Sequence, residues 1–239
     1  MGAGWSDFLS LMLTQKPSDT STTGGGVGTY SLGQSTSGVG IGRFPYNTNM
    51  AVNPPTIGSY NSTQAVHRTG QVWCSALWDL NWALIGRYGQ TTDLSAGYTG
   101  VASGGSAMTL RLVLDAMKIQ PANPSLFQAR HAVLQADLNL TGGANQGLIW
   151  QTFARRGFGF SASTASSSAS TVVEAFDVPS AFPSAVSASL TQSAVVPVES
   201  IPIRFTKPIN TSTFSVADDV LSLASPSGAN LKAAIGGVV

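Results

Sequence analysis

The chain has 239 residues, of which 43% are hydrophobic and only 10% are charged; this composition supports a buried core and excludes a disordered chain. The net charge of +1 offers no basic surface to nucleic acid or to an anionic membrane, so neither partner is predicted. The single cysteine, Cys74, excludes an internal disulfide, and no apolar run reaches the roughly 20 residues of a membrane span.

The first predicted element is a short helix over about residues 4–14. Trp5 and Phe8 lie at helical spacing within it, and Pro17 prevents its continuation. The next segment, residues 18–64, is rich in Gly, Ser, Thr, Asn and Pro and shows no sustained period. A loop of that length within a compact domain is typical of a functional surface such as a substrate cleft.

A helical bundle is predicted to follow this loop. In its first helix, Trp73 and Leu77 belong to an apolar stripe with alternating spacings of three and four residues, and Cys74 is interpreted as a small buried hydrophobe. Pro121 ends the second helix, and Ser125 is well placed to cap the third. The predicted helices span about residues 65–88, 106–120, 125–138 and 144–156.

The character of the sequence changes after the last of these helices. Residues 161–170 are a serine- and alanine-rich stretch of low complexity that is expected to be an exposed loop or linker, and residues 171–177 have the composition of a strand. Residues 179–194 are predicted to be a linker. From residue 195 to 239, short alternating segments separated by turn signals predict an incomplete β-sandwich, since an immunoglobulin-like module needs about 100 residues.

The residues by themselves do not predict a complete catalytic centre. The chain contains no His-Glu-x-x-His, and its two histidines, His67 and His131, are too far apart in sequence to form a local metal site.

A series of motifs nevertheless resembles the fungalysin family of secreted zinc metallopeptidases. The series extends over residues 1–178, and its order also matches the family. The motifs are Gly2-x-Gly4-Trp5-Ser6-Asp7-Phe8, Val66-His67-x-x-Gly70-x-x-Trp73, Leu112-Val113-x-Asp115-x-Met117-Lys118-x-Gln120-Pro121, Thr141-Gly142-Gly143-Ala144-Asn145, and Phe153-Ala154-x-Arg156-Gly157.

The resemblance implies a mainly α fold. Residues 1–178 are expected to be a thermolysin-like C-terminal helical subdomain with a long loop region, the part of a catalytic domain that follows the His-Glu-x-x-His helix. The partial immunoglobulin-like β-sandwich would follow it.

The resemblance also assigns roles to individual residues. The family motif reads Gly-Glu-Gly-Trp-Ser-Asp, and its glutamate is a zinc ligand; here that position is Ala3, which cannot coordinate a metal. Asp7 matches the carboxylate that orients a ligating histidine from outside the metal's own ligands. His67 matches the histidine that donates a hydrogen bond to the oxyanion formed when zinc-bound water attacks the scissile carbonyl.

Weaker candidates lie in the loop region. Arg43 could supply a second charged donor to a substrate carbonyl, although an ordinary surface arginine fits the sequence equally well. Tyr30, Tyr46 and Tyr60 could each offer a phenol to the same oxyanion, and the sequence does not choose among them.

Two functions are therefore considered. The first is a fragment of a secreted zinc metalloendopeptidase, inactive as this isolated chain, with zinc bound only in the complete family enzyme and with the N-terminal half of the catalytic domain as its missing partner. The second is a non-catalytic extracellular binding or adhesion protein built on a degenerate peptidase scaffold, which Ala3 suggests. In the first case the substrate is a peptide or protein, the protein is extracellular, and its signal peptide is expected upstream of this chain.

Overall fold

A computed structural model describes residues 1–61, 65–91, 93–95, 97–167 and 169–182, together with the backbone of residues 185–188 and 203–205. Contacts between α-carbons divide the chain into two units, Met1–Pro179 and Ser180–Val239.

The first unit is mainly helical, as the sequence and the resemblance predicted. Its described residues form five α-helices, and short 3-10 turns lie at Tyr30–Leu32, Ile57–Ser59 and Val101–Ser103. The α-helices are α1 (Gly2–Thr14), α2 (Val66–Tyr88), α3 (Gly104–Ile119), α4 (Leu126–Thr141) and α5 (Gln146–Arg155). No helix among the described residues is both long enough and apolar enough to cross a membrane.

Local sequence explains where several helices begin and end. Ser125 accepts a hydrogen bond from the backbone N–H of Gln128, whose side chain accepts one from the backbone of Ser125 in return, so a capping box begins α4. Gly142 ends α4 in the left-handed region, with φ of 71°, where a residue without a Cβ is favoured.

Helix α2 lies at the centre of the unit and packs against α1, α3 and α5. Its Trp73 is fully buried. The indole ring stacks on Phe153 at 5.8 Å between ring centroids and meets Trp5 and Phe158 edge-on at 5.0 and 5.6 Å. These aromatic pairs hold α1, α2, α5 and the segment after α5 around one core.

The long loop region between α1 and α2 is ordered by a buried arginine. Arg156 is fully buried, and its guanidinium bonds both carboxylate oxygens of Asp79 at 2.7 and 3.1 Å. It also donates to the backbone carbonyls of Asn47, Asn53 and Pro55. One side chain at the end of α5 therefore fixes three points of the loop against α2.

The serine-rich stretch differs from its sequence expectation. Phe158 and Ala175 form a parallel bridge and Ser163 and Val173 an antiparallel one, so the segment with strand composition forms isolated bridges. Ala162 is buried beneath this pairing. The expectation of an exposed linker is therefore wrong at Ala162, because the neighbouring backbone supplies partners that composition cannot indicate.

In the second unit, the described backbone forms a two-stranded antiparallel sheet. Strand β1 (Ala185–Ala188) pairs with β2 (Ile203–Phe205), with an irregularity between Ala185 and Ser187. Strand β1 lies inside the range 179–194 that the sequence assigned to a linker; the linker assignment stays a prediction. Apart from β2, the predicted β-sandwich at residues 195–239 lies outside the described residues.

Candidate active site

Asp7 is a buried carboxylate on the inner face of α1. Its residue surface is 3% exposed. The phenol of Tyr46 donates a hydrogen bond of 2.7 Å to Oδ2, whereas Oδ1 accepts no hydrogen bond from a described residue. Among the described residues, Tyr46 is thus the side-chain donor to this carboxylate, and Oδ1 remains an acceptor without a described donor.

Burial and neighbouring groups act on Asp7 in opposite directions. Burial raises the pKa of the Asp7 carboxyl above its usual value, while the Tyr46 hydrogen bond and the charge of His67 lower it; burial prevails. The charge of His67 thus acts on the pKa of Asp7, although 60 positions separate the two residues in the sequence.

The crossing of α1 and α2 brings these residues together. A Cβ built on Gly4 would lie 2.5 Å from the carbonyl oxygen of Gly70, and a Cβ built on Gly70 would lie 2.9 Å from the Cβ of Ala3. His67 is exposed in the first turn of α2, one turn before Gly70. Ala3 thus lies at the close contact between two helices, and Asp7 on α1 and His67 on α2 each lie about one helical turn from it.

Arg43 is placed by a buried glutamine that the sequence did not single out. The Gln71 side-chain oxygen accepts a hydrogen bond from the backbone N–H of Arg43 at 2.8 Å, and its amide nitrogen donates to the carbonyl of Phe44. Gln71 lies one turn after His67 on α2 and is 2% exposed. The backbone of Arg43 is therefore next to the helix that carries His67, while its exposed guanidinium lies 5.3 Å from the Phe44 ring centroid.

The signal for Gln71 was present in the sequence. An amide at i+4 from His67, next to the apolar Val72 and Trp73 in a predicted core helix, needs hydrogen-bond partners. Only the fold shows that these partners are the two peptide groups beside Arg43.

His131 lies in different surroundings. Its ring Nε2 is 2.9 Å from a guanidinium nitrogen of Arg130, and its ring packs edge-on against Trp150. Burial and the neighbouring Arg130 lower the pKa of His131. Both residues line a groove of about 700 Å³ formed by α4 and the serine-rich stretch, and that groove includes none of Asp7, Arg43 and His67.

The described residues do not by themselves fit a zinc ion. No group of three or more His, Cys, Asp and Glu side chains among them is arranged to hold a metal. Ala3 has no donor atom, and the Asp7 carboxylate is oriented by Tyr46. A structural or catalytic zinc site normally takes at least three protein ligands, so a ligand set here requires side chains from other segments.

Comparison with known proteins places this geometry in context. The model of the fungalysin metallopeptidase (M36) family matches residues 1–162. The chain is 42% identical over 162 residues to the extracellular metalloproteinase mep of Aspergillus fumigatus, covering 66% of this chain and 25% of the relative. It is 41% identical over 163 residues to extracellular metalloproteinase 3 of Trichophyton soudanense, covering 68% of this chain and 41% of the relative.

A further relative, extracellular metalloproteinase 3 of Trichophyton rubrum, is 41% identical over 163 residues, which cover 68% of this chain and 25% of the relative. The matched segment thus spans about a quarter to two fifths of the length of these curated relatives.

Proposed function

Because the chain belongs to the fungalysin metallopeptidase family, we propose that it contributes Asp7 and His67 to the active site of a secreted zinc endopeptidase. The observation that carries the proposal is the close Gly4–Gly70 crossing, where Ala3 lies in contact and from which Asp7 and His67 each lie about one helical turn. The three positions come from two segments that resemble family motifs; Asp7 and His67 match those motifs, whereas Ala3 replaces their glutamate.

In this proposal His67 acts on the substrate. It is exposed in the first turn of α2, so a peptide can approach it while the helix keeps its backbone fixed. A donor aimed at the oxygen of a scissile carbonyl stabilises the negative charge that develops there by roughly 3 kcal/mol. Arg43, whose backbone Gln71 holds near the same helix, is proposed to donate to a substrate carbonyl as well.

Asp7 is proposed to orient a histidine side chain supplied by another segment. Its Oδ1 accepts no hydrogen bond from a described residue, and a buried carboxylate is costly unless such an acceptor is used. A ligating histidine commonly donates its second ring N–H to a carboxylate, which fixes its tautomer and orientation.

The isolated chain is proposed to be inactive. The described residues supply no ligand set for zinc, and Ala3 offers no donor where the family motif has a glutamate. Zinc, which activates water for hydrolysis when it is adequately coordinated, would need ligands from outside the described residues.

The remaining assignments extend this proposal. The names of the relatives as extracellular metalloproteinases support secretion. The pairing of β1 with β2 and the alternating sequence after residue 195 support the start of an immunoglobulin-like β-sandwich module.

A chimera tests the function. The segment of the Trichophyton rubrum relative that precedes the matched region is fused before Met1, and peptide cleavage is measured with alanine or glutamate at position 3. We expect Ala3→Glu to raise kcat/KM by about a hundredfold or more, since substitutions even outside the ligand set cost 10- to 100-fold. In calorimetry, the isolated chain should bind no zinc tightly.

Two matched variants assign the role of His67 within the active chimera. His67→Gln should lower kcat by about a hundredfold or more, whereas His131→Gln should leave it unchanged. Peptide cleavage by the isolated chain would contradict the proposal. So would a folded chimera whose kcat/KM is the same with alanine and with glutamate at position 3.

A further inference from the structure

Among the tyrosines considered above, Tyr46 has the most constrained side chain. It is 2% exposed, whereas Tyr30 is 97% exposed. Its backbone exchanges two hydrogen bonds with Gly25, at 2.7 and 3.3 Å, so the residue is fixed at its main chain as well as at its phenol.

The phenol of Tyr46 is committed to one acceptor. A tyrosine hydroxyl has a single proton to donate, and that of Tyr46 is directed to Oδ2 of Asp7 at 2.7 Å. It is therefore not free to donate to a substrate oxyanion, the role that the sequence left open for three tyrosines.

We propose that Tyr46 is a positioning residue: it fixes the Asp7 carboxylate so that Oδ1 is presented to the side chain that Asp7 orients. The inference rests on the proposed function for the identity of that side chain, but the hydrogen bond itself belongs to this chain. Because Oδ2 is held from the loop and the α-carbon is held in α1, rotation of the carboxylate is restricted from both ends.

The electrostatics of the site favour the same role. Burial raises the pKa of Asp7, and the Tyr46 donor opposes that rise by stabilising the charged carboxylate. The other titratable groups that act on this pair from the described elements are His67 and the buried Cys74 thiol, both on α2. Burial raises the pKa of that thiol well above its usual value, so Cys74 remains neutral and places no charge beside Asp7. The hydrogen-bond donor to the Asp7 carboxylate is Tyr46.

The proposal is tested in the chain itself, without metal or substrate. Asp7 is titrated by carboxyl ¹³C NMR, with its resonance assigned from its loss in Asp7→Asn. Tyr46→Phe removes one hydrogen bond to a charged group, and we expect about a tenfold increase in the proton affinity of Asp7, seen as an upward shift of the titration midpoint. Tyr30→Phe, which removes an exposed phenol, is the matched control and should leave the midpoint unchanged.

A second measurement distinguishes the effect of the hydrogen bond from the effect of a folding defect in Tyr46→Phe. Replacing Tyr46 by 3-fluorotyrosine keeps the shape of the ring and makes the phenol a stronger donor, so the Asp7 midpoint should fall. An unchanged midpoint in folded Tyr46→Phe or in the fluorotyrosine protein would overturn the inference.

A functional readout separates this inference from the proposed function. In the chimera with Ala3→Glu, Tyr46→Phe should weaken zinc affinity by about tenfold, and Tyr30→Phe should not. A chimera that neither binds zinc nor cleaves peptide would refute the proposed function and leave the Asp7 titration result intact. A normal zinc affinity in active Tyr46→Phe would refute the positioning role alone.

Discussion

At the scale of single residues, the feature that most supports the proposed function is a buried carboxylate, Asp7, whose burial does not favour folding. Asp7 is 3% exposed and has one neutral donor, Tyr46, on Oδ2. Ion pairing is how proteins usually compensate a buried carboxylate, and among the described residues Asp7 forms no salt bridge. Such residues commonly reduce stability in exchange for activity.

Asp7→Asn is predicted to stabilise the chain at neutral pH. The folded-state pKa of Asp7 is raised, so the folded protein binds the proton more tightly, and stability from this group falls as pH rises from the unfolded pKa through the folded pKa. Asparagine does not ionise, so the variant does not lose this stability as pH rises, and its side-chain oxygen can still accept the hydrogen bond of Tyr46. Urea unfolding across pH should show that the free energy of unfolding of Asp7→Asn exceeds that of the parent chain by an amount that is small in acid, grows with rising pH and then levels off. A variant less stable than the parent at neutral pH would contradict this prediction.

At the scale of elements, the close crossing of α1 and α2 determines how near the candidate site residues on the two helices lie to one another. Gly4 and Gly70 allow the two backbones to approach until a Cβ on Gly70 would lie 2.7 Å from the backbone nitrogen of Gly4. Such a separation is shorter than van der Waals contact, so any side chain at either glycine forces the helices apart. Ala3 and Asp7 on α1 and His67 on α2 depend on this approach for their proximity.

Gly70→Ala is predicted to destabilise the chain by about 1–3 kcal/mol, the usual cost of overpacking a well-packed contact. The control is Gly86→Ala on the same helix, where a Cβ would meet nothing within 4 Å; alanine's higher helix propensity should stabilise the chain by about 1 kcal/mol there. Thermal and urea unfolding measure both. Equal effects at the two glycines would show that the crossing is looser than described.

At the scale of the whole first unit, a single ion pair connects the end of α5, the middle of α2 and the long loop. Asp79 and Arg156 are both buried, and Arg156 also donates to three loop carbonyls. Arg155, whose side chain is 41% exposed, adds a third hydrogen bond to Asp79 and one to the carbonyl of Thr48. The loop that carries Arg43 and Tyr46 is thus held from the opposite side of the core.

Arg156→Leu is predicted to cost about 3–5 kcal/mol, since it leaves a buried carboxylate and three carbonyls without their main donor. Arg155→Leu should cost about 1 kcal/mol or less, as expected for a partly exposed pair. Urea unfolding gives the two free energies, and limited proteolysis should detect a loosened loop only in Arg156→Leu. Comparable losses in the two variants would contradict the role assigned to Arg156.

The sequence by itself determined the helical class and the family, and it proposed Asp7 and His67 as site residues, because helical periodicity and short motifs are local properties of the sequence. It could not choose among Tyr30, Tyr46 and Tyr60 or find Gln71. The partners of Tyr46 and Gln71 are set by contacts across 27 to 39 positions, and no pattern in the loop encodes such a distance.

Only the tertiary structure shows that α1 and α2 cross closely between Asp7 and His67, that Tyr46 donates to Asp7, and that Arg156 orders the loop. The first follows from two glycines that let the helix backbones approach, and the other two arise because a buried polar group needs a partner, which the fold supplies from a distant part of the sequence.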